Sequence, residues 1–318
     1  MTSEFDRRFD PSSQVSVARW YFALQALAGA VWWAMVPASE WVREQTLAEL
    51  PAAVLVVPDL LLFVVASAVA AWRSHAVAAG VVVVWAAAMT ALLIVAGLVD
   101  TPAPLGIAAM VVATVASAGA ALVLWNGRLP TEWFFAGPFR FRGAAPTTPA
   151  GHLRRSLGQL VVFWTFFHLV VPLVIVFFER RLDLALVDPS PDGLRLVGWT
   201  LFAVSSLLGI ASCVSMSWFG AGTPLPAATA TELVVVGPYR FVRNPMAVAG
   251  AGQSFGIAAV VGSWVLAVGV VVGALFWEII VRPEEEADLE RRFGEPYRRY
   301  RASVRHWIPG RPRHTSHE

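Results

Sequence analysis

The chain has 318 residues, of which 57% are hydrophobic and only 14% charged, and its formal net charge is +2. That charge fraction lies far below the roughly 25% of soluble domains and excludes an ordinary water-soluble globule. The small positive balance requires no nucleic-acid partner, because arginines facing an anionic lipid leaflet account for it.

The N-terminus "MTSEFDRRFDPSSQ" is polar, and the apolar run behind it is too long for a signal-peptide core, so it reads as a retained anchor. Windows longer than the ~18 apolar residues of a spanning helix predict crossings near 18–37, 51–72, 76–98 and 105–126. These four are dominated by Ala and Val. Asp59, in "VVPDLLLF", is the ionisable exception; it is alone in its span, which points to a satisfied structural role rather than a proton path.

The polar stretch from Asn126 to Arg155, rich in Pro, Gly and Arg, is the best candidate boundary. It contains "GPFRFRG" from Gly137, which resembles "GPYRFVR" at Gly237 but lacks a following Asn-Pro and a downstream acidic segment. A basic loop explains it. Further crossings are predicted near 157–179, where His168 stands as a lone ionisable group, and near 195–219. The run from Met246 to Val281 is too long for one crossing, and "VVGSW" at Val260 to Trp264 predicts a tight helical hairpin. The fold class is therefore all-α, a polytopic transmembrane helical bundle of about eight spans.

Every basic residue is arginine, and the arginines gather in alternate loops. With both termini cytoplasmic, the positive-inside rule is met at nearly every loop, "ERRLD" at Glu179 to Asp183 being the main exception. Cys213 is the single cysteine, so no disulfide can form within the chain. His314 and His317 have no cysteine or second pair nearby, and no metal is expected.

Chemistry concentrates in "GPYRFVRNPM", Gly237 to Met246. Asn244 is a favoured N-cap and Pro245 a favoured first helical residue, so a helix should start there. Its unpaired N–H groups and positive dipole end attract an anion, and Arg240 and Arg243 add planar donor forks suited to carboxylate or phosphate. A proline-capped basic loop is the alternative reading of this segment alone. The last span runs into "FWEIIVRPEEEADLERRFGEPYRRYRASVRHWIP", Phe276 to Pro309, with glutamates at 284–286 where the membrane ends. Arg282 can share a helix face with Glu285 and Glu286. Gly294 and Pro296 break the helix, and Tyr297 and Tyr300 resume an aromatic face. By itself this reads as an amphipathic cytoplasmic C-terminal helix at the membrane surface. If it folds back under the 237–246 loop, carboxylates face a cationic helix start across a pocket suited to a mixed-charge molecule.

In these motifs the chain resembles the isoprenylcysteine carboxyl methyltransferase and phospholipid methyltransferase superfamily of integral-membrane enzymes. "GTPLP" at Gly222, "LVVVGPYRFVRNPM" at Leu233, "EEADLERRFGEPYRRY" at Glu285 and "WIP" at Trp307 follow its order and spacing over roughly residues 195–309. The resemblance implies S-adenosylmethionine as cofactor, with a lipid-like or prenylated acceptor entering from the bilayer. Cofactor contacts then fall on Leu233, Val234, Gly237, Tyr239, Asn244, Pro245 and Glu285. Arg243 would meet the cofactor carboxylate, Arg282 the polar end of the acceptor, and Glu286 the cationic groups or a released proton. Residues 1–150 become an accessory four-span region and 151–318 the methyltransferase core with its cytoplasmic tail. The chain departs from the family at Ala247, where a tyrosine is usual, and at "VRHW", Val304 to Trp307, where Val-Pro usually precedes the final Ile-Pro. The competing readings are a non-catalytic scaffold or carrier that keeps the fold, and a methyltransferase acting on a small thiol or amine.

Overall fold

The protein is represented by a computed structural model that describes residues 10–135, 143–187, 190–223 and 229–308. "GPFRFR" from Gly137, the Pro224–Pro226 part of "GTPLP", Pro309 and the two terminal histidines lie outside the described residues. Among those described, the structure is helical. The only sheet-like pairing is an isolated parallel bridge between Gly143 and Thr229.

Among the described residues ten α-helices carry the chain. They are α1 (Pro11–Met35), α2 (Glu40–Leu47), α3 (Ala52–Arg73), α4 (Ala76–Val99), α5 (Pro104–Asn126), α6 (Pro149–Arg181), α7 (Asp192–Phe219), α8 (Pro245–Val261), α9 (Trp264–Phe293) and α10 (Glu295–Ser303). Helix starts follow local chemistry. Pro149 opens α6 behind Thr148, whose hydroxyl accepts from Gly151 N at 3.1 Å, and Ser263 caps α9 by accepting from Leu266 N at 3.0 Å. Gly262, at φ +72°, closes α8 and makes the turn of the expected 260–264 hairpin.

Among the described residues six helices, α3 to α7 and α9, are long and apolar enough to cross a membrane. Large apolar side chains on them face outward, among them Val84, Val162 and Leu207 at about 70% exposure. A water-exposed surface of this kind would aggregate, whereas hydrocarbon solvates it. This is an integral membrane protein. The other two of the expected eight crossings differ. Helix α1 is 25 residues long but carries Arg19, Tyr21 and Gln25 and is less apolar, and α8 has only 17 residues, rising about 26 Å against a hydrocarbon core of about 30 Å. Conversely α9 has 30 residues and rises about 45 Å, so its charged end from Arg282 projects beyond the hydrocarbon.

The chain divides into two compact units. The first comprises Met1–Thr131 with Arg180–Leu184, the second Glu132–Glu179 with Ala185–Glu318. In the first, Phe22 of α1, Ala66 and Ala70 of α3, Val82 and Ala86 of α4 and Ala121 of α5 form the main apolar core. The few polar side chains of these Ala/Val-rich helices are consumed in pairs. Gln25 donates to Ser67 Oγ at 3.0 Å, Thr90 and Thr114 meet at 2.8 Å, and Asp59 accepts from Trp33 Nε1 at 2.7 Å and from Trp85 Nε1 at 2.6 Å. Both Asp59 oxygens are thus satisfied, the structural role its isolation suggested.

In the second unit α7 and α8 approach so closely that side chains are excluded. A Cβ on Gly198 would lie 2.6 Å from Gly256 O, and one on Gly256 would lie 2.7 Å from Gly198 O. Apolar burial drives little between helices in lipid, so this contact depends on small residues and on polar links such as Gln253 Nε2 donating to Ser206 Oγ at 2.9 Å. His168 lies in a π-helical turn of α6, Phe166–Val170, with Nε2 3.4 Å from Ser254 Oγ. Gly256→Val should therefore push the α7–α8 pair apart and cost roughly 1–3 kcal/mol. The expected result is a lower melting temperature in detergent, with Gly269→Ala, which meets nothing within 4 Å, unchanged as the control.

Candidate active site

The loop before α8 is fixed first by sterics. Gly237 has φ +58°, and a Cβ there would lie 2.4 Å from Ser215 Oγ on α7, so glycine is required on both counts. The backbone then forms one 3₁₀ turn, Gly237–Arg240, which buries the Tyr239 ring. Asn244 accepts from Ala247 N at 3.0 Å and Pro245 is the buried first residue of α8, as the Asn-Pro pair predicts. Upstream, Val234 is buried against the end of α7, where a Cβ on Gly220 would meet it at 2.6 Å; Leu233 beside it is half-buried.

The tail folds back onto this loop. Arg243 N donates to Arg305 O at 2.9 Å, and Tyr300 of α10 donates its hydroxyl to Tyr239 O at 2.7 Å. Trp307 Nε1 reaches Glu278 Oε2 at 2.8 Å, in the π-helical turn Trp277–Val281 of α9. Arg292 donates to Thr229 Oγ1 at 2.9 Å and to Ala230 O, which ties α9 to the segment leading into the loop. The reversal itself is made at Gly294, with φ +59°, between α9 and α10.

A charge network forms where these pieces meet. Glu286 Oε1 accepts from Arg243 Nη1 at 2.7 Å, with the two side chains 17% and 14% exposed. Arg282 pairs with Glu278 at 2.7 Å and stands 4.0 Å from Glu286, while Arg301 of α10 lies 3.9 Å from the other Glu286 oxygen and 3.1 Å from Glu290. Glu286 is thus the shared carboxylate of three arginines from three segments. Glu285, its neighbour, is half-buried and has no hydrogen bond or ion pair among the described residues. Burial pushes the Tyr239, Tyr297 and Tyr300 hydroxyls above the ordinary tyrosine range. The nearby Tyr300 and Glu285 reinforce the rise at Tyr239.

Of the residues singled out from the sequence, Arg243, Arg282 and Glu286 fall in this single network, with Tyr239, Asn244 and Pro245 forming the loop beneath it and Glu285 alongside. Leu233, Val234 and Gly237 are placed by packing against the end of α7. Arg243, expected to await a ligand carboxylate, is bonded to one already supplied by the chain. The sequence reading did not place Glu278 and His306 at the site. Glu278, an acid inside the last apolar run, carried a usable signal. His306 carried none, since only the tail's folded path brings it here.

His306 is 8% exposed, with Nδ1 3.8 Å from Glu286 Oε1, and neither ring nitrogen has a hydrogen-bond partner among the described residues. Burial first, then the Arg243 and Arg282 guanidinium groups, hold it neutral with its pKa down at about 3.

Comparison with known proteins bears on the segment that builds most of this site. Residues 194–296 match the family model described as phospholipid methyltransferase, in the superfamily that also holds the isoprenylcysteine carboxyl methyltransferases. No curated protein and no solved structure gave a match. The match runs from Leu194 in α7 through the 237–246 loop, α8 and α9, and it ends at Pro296. Tyr300, Arg301, His306 and Trp307, which close the network, therefore lie beyond the matched residues.

Two outcomes test this geometry. Glu286→Ala leaves Arg243 without its partner in a mostly buried place and should cost about 3 kcal/mol, against about 1 kcal/mol for Tyr300→Phe, both measured as losses in melting temperature. For pH, a histidine whose folded pKa is depressed contributes stability that is present above its unfolded pKa, about 6.5, and lost as pH falls toward about 3. His306→Gln should therefore lose less stability than the wild type between pH 6.5 and pH 4; Glu285, whose pKa burial and the neighbouring Glu286 raise to about 7, acts in the opposite sense but equally in both proteins.

Proposed function

We propose that the protein is an S-adenosylmethionine-dependent membrane methyltransferase acting on a lipid-like or prenylated acceptor. One observation carries the reading. The acidic end of α9 and the tail dock on the loop that leads into the proline-started helix, through Arg243–Glu286 and Tyr300–Tyr239, and so place carboxylates and guanidinium groups together just past the apolar part of α9.

The donor set suits the cofactor, which bears a carboxylate, an ammonium and a sulfonium. Glu285 keeps an unpaired carboxylate for the ribose hydroxyls or a cation. Arg243 Nε is buried without a partner among the described residues and can serve the cofactor carboxylate. Tyr239, Asn244 and Pro245, with Leu233, Val234 and Gly237, form the wall on the loop side. When bound, S-adenosylmethionine supplies an electrophilic methyl group on sulfur. The protein's part is then to align acceptor and methyl group and to keep water out, because displacement at carbon asks for orientation more than for a strong base. Arg282, tied to Glu278 and close to Glu286, fits the polar end of an acceptor arriving from the bilayer. An acceptor amine would release a proton that Glu286 or Glu285 can take; a carboxylate would release none.

In this reading residues 151–318 are the catalytic core and 1–150 an accessory region that braces it or shapes acceptor entry. The arginine distribution supports a cytoplasmic site with both termini on that side. Ala247 in place of the usual tyrosine supports the second reading, a scaffold that keeps the fold without activity.

The experiment is thermal melting of the full chain in detergent with S-adenosylmethionine, followed by transfer of its labelled methyl group to a total lipid extract and to small thiols and amines. A rise in melting temperature is expected, equivalent to about 2.7 kcal/mol at one hundred times the dissociation constant and abolished by Glu285→Ala or Asn244→Ala. Unchanged melting at millimolar cofactor would reject the enzyme in favour of the scaffold. Label found only in a small thiol or amine would reject the lipid acceptor.

A further inference from the structure

Buried polar groups are nearly always hydrogen-bonded, and a side chain that violates this on both of its polar atoms calls for an explanation. His306 is such a side chain: it is more than nine-tenths buried, and both ring nitrogens are unpartnered among the described residues. It is not isolated from other chemistry. Its neighbour Arg305 accepts the backbone N–H of Arg243, and Arg243 itself spends Nη1 on Glu286 while its buried Nε–H goes unused. The two side chains, from two segments, converge on one Glu286 oxygen, Arg243 Nη1 at 2.7 Å and His306 Nδ1 at 3.8 Å.

We propose that Arg243 Nε–H and the His306 imidazole form an oxyanion-binding niche, taking a carboxylate or phosphate that bears two acceptor oxygens. The proposal rests on the methyltransferase reading only for where the anion comes from. One source is the carboxylate of S-adenosylmethionine, the other the phosphate of a lipid headgroup. The charged groups that face His306 are Arg243 from the loop and Arg282 and Glu286 from α9, with Arg301 of α10 behind Glu286. Glu286 has its charge shared among three arginines, so it does not repel an anion as a lone carboxylate would. In the absence of an anion the two nearby guanidinium groups disfavour the imidazolium. A bound oxyanion offsets them, so the ring takes up one proton from solvent and both its nitrogens become donors. Binding is then proton-linked and strengthens as pH falls; Glu285, raised to about 7 by burial and Glu286, titrates in the same range, so the readout of the imidazole is the part of the gain that a His306 substitution removes.

The test uses the full chain in an uncharged detergent and titrates three probes by calorimetry: S-adenosylhomocysteine, 5′-methylthioadenosine, which lacks the amino-acid end, and dihexanoyl phosphatidate. Each is measured at pH 8 and pH 6 on wild type, His306→Ala and the size-conserving His306→Gln. The expected result is that His306→Ala weakens S-adenosylhomocysteine about tenfold, leaves methylthioadenosine unchanged, and removes a wild-type gain in affinity between pH 8 and pH 6. That pattern supports the niche and identifies the cofactor carboxylate as its occupant. Loss confined to phosphatidate supports the niche with the lipid phosphate as occupant. Equal loss for S-adenosylhomocysteine and methylthioadenosine, or no loss for any probe, overturns it. If both variants fail to fold, a wild-type affinity for S-adenosylhomocysteine and phosphatidate that is flat with pH overturns it equally. Absence of all nucleoside binding in the wild type would remove the methyltransferase reading while the phosphatidate arm still decides the niche.

Discussion

A charge taken out of water must find a partner, and at Glu286 that requirement shapes the second unit. One carboxylate oxygen receives Arg243 at 2.7 Å, and Arg282 and Arg301 close around the residue within about 4 Å. These arginines come from the loop before α8, from α9 and from α10, so satisfying one carboxylate fixes three segments at once. The hydrogen bonds from Tyr300 to Tyr239 O and from Arg243 N to Arg305 O then make the closure specific, because each needs a backbone group in one orientation. Without the carboxylate, three guanidinium groups would crowd each other.

Within the bilayer a different constraint applies. Lipid is as apolar as leucine, so apolar burial drives little between helices, and contact comes from close approach and polar links. The second unit uses close approach, as at Gly198 and Gly256. The first uses polar links, with Asp59 held by two indoles and Gln25 held by Ser67. In both units the remaining large apolar side chains face the lipid.

The chemistry assigned to the site follows from compensation of charge. Methyl transfer from a sulfonium needs alignment in a dry place, and a dry place tolerates ions only in balanced sets. The network is such a set, with Glu285 and the His306 ring as its unspent members. Ala247 shows how little the loop depends on the side chain at that position: its amide is bonded by the Asn244 cap, so the helix start is kept whichever residue stands there.

Much of this was written in the chain itself. Length and apolarity located α3 to α7 and α9, the Asn-Pro pair located the start of α8, and Gly262 with Ser263 split the last apolar run, because each signal is local and acts through backbone chemistry or solvation over one helix. Pairing was not legible. Arg243 and Glu286 are 43 residues apart, and nothing in either segment says that each will take the other rather than a ligand. The place of His306 was hidden for the same reason, since its meaning arises from the reversal at Gly294 and the hydrogen bond between Arg243 and Arg305. Composition and periodicity determined which segments enter the membrane and where helices begin, whereas only the folded tail decided which charges are spent and which remain available, because burial and partnership are properties of the assembled structure.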